Sequence, residues 1–343
     1  MGKILDYCER GGYLNLARPL ARGVSRISLN DPTFSDLAGV LTGVKPVTYT
    51  DCSPGDVPQL KSLCDRLKLN CLPVEEFLSK RWYHLVQGKT IFLLGRDAKT
   101  VKAAALAWRS PENNERWASI LGYPECCIGM YMKWLNTLGL GDDLVKMSFY
   151  NTKTTGPLDF KLNNIFNYSS RLASGNPKDR LRYEKFIEFN REKSFPSKHV
   201  IGWHPCAYDC PESLKKADVI FSFMERHAPA YAAGLREALA RPVLFWDKYR
   251  YAFLEGRSAA GTVSCKGVAF PRSLLSQALY RRIAMCDTIK AGPRQADFYR
   301  GGVLFYSARA GVPVLLGFAA DRGRPRGKGA SRSRPCGKTG GVL

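Results

Sequence analysis

The chain has 343 residues and is 45% apolar, with 17 Phe, 16 Tyr and 6 Trp. That composition excludes a largely disordered protein and leaves room for one large domain or two ordinary ones. A formal net charge of +22 favours polyanionic partners, an anionic substrate or nucleic acid first, against the plainer alternative of a solvated basic surface.

The charge is uneven. Residues 321–343 hold seven Lys/Arg and one acid, a surplus of +6, so the first 320 residues carry the other +16 of the total +22. The opening "MGKILDYCERGG" has acidic residues where a signal peptide needs an apolar core. Asp6 stands where N-myristoylation prefers Ser or Thr. The apolar stretch "GVLFYSARAGVPVLLGFAA" is interrupted by Arg309 and Pro313 and reads as two strands, not a membrane span. A cytoplasmic location with no membrane contact is the expectation. Nothing in the pattern fixes an oligomeric state.

Taken in order, the first 45 residues are weakly patterned. "PVTYT" predicts a strand, "DVPQLKSLCDRLKL" a helix and "NCLPV" a second short strand. "VEEFLSKRWYHLV" predicts a helix and "KTIFLLG" a buried strand. "DAKTVKAAALAWRS" predicts a helix with Asp97 as N-cap. Such alternation predicts an α/β fold of two lobes, each with short, largely parallel strands between helices.

The expected boundaries are an N-terminal lobe over 1–144, ending in a helix that carries a cysteine pair, and a polar helical connecting segment over 145–198. A C-terminal lobe over 199–320 follows. Within it, "KHVIGW", "RPVLFWD", "GTVSCKGVAF" and "GGVLFYSA" read as strands, with helices over 211–227 and 229–240. Residues 321–343 are too poor in apolar residues to offset the entropy of ordering, so a disordered basic tail is predicted. Two Gly-Lys-Thr stretches fail as phosphate loops, because Arg332 and Tyr83 stand where the required glycine would be.

Eleven cysteines in a reducing compartment do not suggest structural disulfides. Cys64, Cys71 and Cys286 read as small buried hydrophobes. Two clusters read otherwise. In "GYPECCIGMYMKW", Pro124 and Glu125 open a helix, and Cys126 and Cys127 fall in its first turn. Cys127 begins an apolar stripe with Met130, Tyr131 and Trp134; Cys126 points about 100° away on a helix of 3.6 residues per turn. In "WHPCAYDC", Cys210 sits at the start of another helix opened by Pro211 and Glu212, with His204 and Cys206 just before it. Thiols at helix N-termini are stabilised as thiolates, which both metals and thiol chemistry need. Spacing alone leaves three alternatives open: a metal site, reactive thiols, or buried free cysteines.

Together, "LGYPECCIGMY" and "HPCAYDCPESLKKA" resemble the paired signatures of an uncharacterised, largely archaeal prokaryotic family. That family is marked by Gly-Tyr-Pro-x-Cys-Cys and by a later His/Pro-Cys motif ending in Cys-x-x-Ser. Here His204 is followed directly by Pro205. The resemblance covers roughly residues 90–265. It implies that Cys126, Cys127, Cys206, Cys210 and Ser213 work together, and it implies no activity.

The resulting expectation is a metal-binding protein, with Cys126, Cys127, Cys206, Cys210 and His204 as ligands. An iron–sulfur cluster is preferred and zinc is the alternative. Four thiolates without an obligatory histidine suit a cluster, whereas zinc accepts three thiolates and an imidazole equally well. The distinction is geometric. Zinc–sulfur bonds of about 2.3 Å place ligand sulfurs roughly 3.5–4 Å apart, whereas a cubane spreads them to about 6–7 Å.

Asp247, after a strand, is a candidate catalytic residue beside His204 and Ser213. Whether the chain is an enzyme is left open. An enzyme acting on an anionic substrate or nucleic acid competes with two other functions. One is a metal-free thiol or sulfur-transfer enzyme, with Cys126 or Cys206 as nucleophile, Cys127 or Cys210 as resolving thiol and His204 as base. The other is a non-enzymatic nucleic-acid-binding protein whose metal only staples two lobes.

Overall fold

The computed structural model describes residues 5–8, 13–16, 26–27, 33–52, 54–74, 90–108, 114–138, 144–166, 181–186, 198–259, 261–270, 274–292, 295–309 and 313–320. The expected helix over 74–86, apart from its first residue Val74, and the basic tail, 321–343, lie outside them.

Near the start, β1 (Leu5–Cys8), β2 (Tyr13–Leu16) and β3 (Arg26–Ile27) form a small antiparallel sheet. Helix α1 (Thr33–Thr42) leads to β4 (Val47–Cys52), α2 (Val57–Leu67), β5 (Asn70–Pro73), β6 (Thr90–Gly95) and α3 (Ala98–Trp108). The Asp97 carboxylate accepts from Thr100 N at 2.8 Å and from Thr100 Oγ1 at 2.6 Å, so α3 begins with the expected cap. Next come α4 (Asn114–Ile120), α5 (Glu125–Leu138) and α6 (Leu144–Asn151), then the short β7 (Leu158–Asp159). Residues 198–203, expected as a strand, form an irregular loop. That loop enters α7 (Pro211–His227) and then α8 (Pro229–Leu239).

The remainder is mostly sheet: β8 (Val243–Asp247), β9 (Arg250–Ala259), β10 (Thr262–Phe270), helix α9 (Gln277–Met285), β11 (Thr288–Ala291), β12 (Ala296–Arg300), β13 (Val303–Ala308), β14 (Val314–Leu316) and β15 (Phe318–Ala319).

The expectation of largely parallel strands is overturned. The three-stranded sheet, β4-β6-β5, is antiparallel throughout. So is the seven-stranded sheet, β13-β12-β11-β10-β9-β8-β14. Parallel pairing is confined to β7 with β15 among the described residues. The physical reason lies in β8. Its alternate residues serve two cores: Val243 and Phe245 pack into the main cluster, Leu244 and Trp246 into a second one roofed by α9. A strand buried on both faces reads as a continuous apolar run whatever its neighbours' direction. The turn that reverses the chain is only Lys248 and Tyr249, between paired Asp247 and Arg250, and it carries none of the Gly or Asn signals of a tight hairpin.

The main core gathers Phe34 and Leu37 of α1, Cys127 of α5, Ala217 and Phe221 of α7, and Phe245 and Phe253 of the large sheet. Elements from both halves of the chain therefore share one apolar interior. Among the described residues no helix is long and apolar enough to cross a membrane.

Candidate metal centre

Two segments meet at the edge of this core. The first is the turn from α4 into α5. Gly122 takes φ +76°, and a Cβ there would stand 2.6 Å from Pro46 Cδ and 2.7 Å from the Val44 carbonyl oxygen. Both the left-handed backbone and the close approach demand glycine. Pro124 then closes the first helical turn through its carbonyl, which accepts from Cys127 N and Ile128 N at 2.9 Å each. Cys126 is exposed and Cys127 is buried, the divergence expected of adjacent helical positions.

The second segment is the loop 203–210, with Cys210 at the N-cap of α7 and Pro211 in its first turn. Its polar backbone is satisfied largely by α6 and the residues just after it. Ser148 Oγ donates to the Pro205 carbonyl (2.6 Å), Asn151 Nδ2 to that of Cys206 (3.1 Å), and Thr152 Oγ1 accepts from Tyr208 N (2.9 Å). The Asp209 carboxylate accepts from Lys153 N and Thr154 N, both at 2.9 Å. Asn164 Nδ2 donates to the Trp203 carbonyl (2.6 Å).

The two segments are tied directly. Tyr123 packs on Trp203 with centroids 5.4 Å apart, its hydroxyl donates to the Gly202 carbonyl (3.3 Å), and Lys216 of α7 donates to the Gly122 carbonyl (2.9 Å).

This brings four thiols together. Cys126 and Cys127 sulfurs lie 3.9 Å apart, Cys126 and Cys210 3.7 Å, and Cys127 and Cys210 3.8 Å. With Cys206 included, all four lie within 4.8 Å of one another. A group this compact can hold a metal ion. A tetrahedral ion with metal–sulfur bonds of about 2.3 Å sets its ligands about 3.8 Å apart.

Cys127 and Cys210 have hydrogen-bond partners beyond the thiols, Cys210 in Ser213 and Cys127 in two residues. Cys127 accepts from Cys206 N at 3.3 Å, and Ser213 Oγ stands 3.2 Å away. Ser213 Oγ also accepts from Trp203 Nε1 at 2.9 Å. An indole N–H can only donate, so the serine proton is left for the thiol sulfurs, with Cys127 at 3.2 Å and Cys210 also within its reach.

Without an ion, so many sulfurs share their protons unequally. Cys210 is held far below the ordinary thiol range, chiefly by hydrogen bonds with Cys127 and Cys206. Cys127 is driven far above it by its bonds with Cys206 and Cys210 and then by burial. Cys206 is pushed up to about 12: its bond with Cys127 lowers it, but the bond with Cys210, burial and the Cys210 charge outweigh that. Cys126 is raised by burial and then by Cys210. A cation binding here displaces the remaining protons and relieves the crowding.

Of the other expected site residues, Ser213 adjoins the thiols, and His204 and Asp247 do not join them. His204 is buried, with Nδ1 3.4 Å from Asn164 Nδ2, and does not belong to the converging donor group. Ser213 lies beside the thiols, as its hydroxyl hydrogen bond describes. Asp247 caps the β8–β9 turn, accepting from Tyr249 N and Arg250 N at 3.0 Å each, and is clamped by Arg182 (2.8 Å) and Arg250 (2.7 Å). Sequence reasoning missed Trp203 and the supporting face of α6. The signal for the latter was Ser148, Asn151 and Thr152, spaced i, i+3, i+4 along the last turn of α6 and the residue after it. The chain matches no family model, no curated protein and no solved structure.

Proposed function

We propose that Cys126, Cys127, Cys206 and Cys210 hold one tetrahedral zinc ion, and that the centre fastens α5 and the loop 203–210 into a single unit. The observation that carries this is the sulfur spacing, 3.7–3.9 Å among Cys126, Cys127 and Cys210 and within 4.8 Å once Cys206 is included, which suits a single ion and falls well short of the about 6–7 Å of a cubane cluster. Zinc is favoured over the iron–sulfur cluster preferred on sequence grounds for that reason. Four protein thiolates fill a tetrahedral shell and leave no position for a water, the pattern of structural rather than hydrolytic zinc. Ser213 and Trp203 support the centre by fixing Cys127.

The test is anaerobic purification followed by metal analysis and a visible spectrum. One zinc per chain in a colourless protein is expected. A brown protein with several irons per chain, or one with neither metal, would overturn the proposal.

A further inference from the structure

The four thiols are unequal in a way that a purely structural centre does not require. Cys127 and Cys210 are buried and Cys206 is half-buried, whereas Cys126 is exposed. Cys127 receives the Cys206 N–H and sits against the Ser213 hydroxyl. The hydrogen-bond partners of Cys126 among the described residues are the other thiols alone. Hydrogen bonds from N–H and O–H groups draw electron density from a metal-bound thiolate, and burial bars its approach to a reagent. Once zinc has displaced the thiol protons, Cys126 and Cys206 are the sulfurs left without an N–H or O–H donor among the described residues, and of the two Cys126 is the more accessible.

We propose, resting on the tetrahedral zinc assignment above, that Cys126 is an alkyl-acceptor site: the solvent-facing zinc thiolate takes an alkyl group from a soft carbon electrophile. The step balances without an oxidant or a proton. A lone pair on Cys126 Sγ attacks the carbon, the new C–S bond forms as the bond from carbon to the leaving group breaks, and the leaving group departs with its electron pair. The product is a thioether. The centre's net charge becomes less negative by one, and a weak neutral donor replaces a thiolate in the shell. Loss of that ligand loosens the tie between α5 and α7, so the modification carries a structural consequence beyond the side chain itself.

The experiment uses the full zinc-loaded chain, its zinc content measured first, with iodoacetamide as the probe at one equivalent. Modified positions are mapped by mass spectrometry, and released zinc is followed with a chromogenic chelator. Cys126 should be labelled about tenfold or more faster than Cys127, Cys206 and Cys210, as accessible thiolates react ahead of buried ones, and zinc release should follow that labelling. A Cys126→Ser variant that still binds zinc should lose the fast phase. If zinc is bound but the label distributes evenly, or falls first on Cys206, the inference is wrong and the zinc centre stands. If no zinc is bound, the centre itself is wrong and the inference goes with it.

Discussion

Ser213 shows how much one hydroxyl can hold. It accepts the buried Trp203 N–H and turns its own proton toward the thiol sulfurs of Cys127 and Cys210. Ser213→Ala removes both bonds and leaves the indole N–H buried without that acceptor, at a cost of about 1–3 kcal/mol. The same change should weaken metal binding about 10–100-fold, as loss of a supporting hydrogen bond does; chelator competition against the wild type measures it. Unchanged affinity would mean that the hydroxyl does not serve the metal.

Asp36 is half-buried between the buried Lys45 Nζ (2.6 Å), which also faces the Tyr123 ring, and the buried His199 Nε2 (3.6 Å). Burial alone would raise its carboxyl, but the Lys45 charge, with the nearby His199 imidazole, more than offsets that and holds it well below the usual carboxylate range. A depressed folded-state value contributes stability that is present above the unfolded value of about 4 and lost as pH falls below it. Urea midpoints should therefore decline from about pH 4 downward. Asp36→Asn should flatten that decline and cost about 3 kcal/mol at pH 7, because Lys45 is left buried without its counter-charge. An unaltered pH profile in the variant would show that the pair contributes nothing.

At the scale of elements, the turn before α5 is set by Gly122. Gly122→Ala forces a side chain into the left-handed region and against the Val44 carbonyl oxygen, 2.7 Å from the new Cβ. The backbone strain alone is worth about 1–3 kcal/mol. Because the turn aims Cys126 and Cys127, metal affinity should fall together with thermal stability. A variant that loses stability but binds metal as the wild type does would separate the turn from the centre.

Much of this site was legible in the sequence. Pro-Glu at the start of two helices beside paired cysteines is a local signal, and the apolar stripe from Cys127 pointed it at a core. The supporting contacts were not legible, since Asn164 and Trp203 are 39 positions apart and only the folded chain joins them. Strand direction was hidden for a related reason. β8 is buried on both faces, and Asp247 makes a hairpin turn with its side chain rather than with glycine.

For the molecule as a whole, the four-thiol cluster joins residues 126–127 to 206–210 at the margin of a core that runs from Phe34 to Phe318. Removing the ion should cost stability across that core and not only at the loop. A strong chelator is expected to lower the unfolding midpoint in one cooperative step, restored by added zinc, because binding to the folded state alone stabilises it by mass action. An unfolding curve that ignores the chelator would confine the centre to a local role.

X-ray absorption at the metal edge of the purified protein bears most directly on four cysteines holding one ion. The expected result is a zinc edge with four sulfur neighbours at about 2.3 Å and no metal–metal scattering. An iron edge with a metal neighbour, or a shell in which nitrogen or oxygen replaces a sulfur, would contradict the tetrahedral four-cysteine centre.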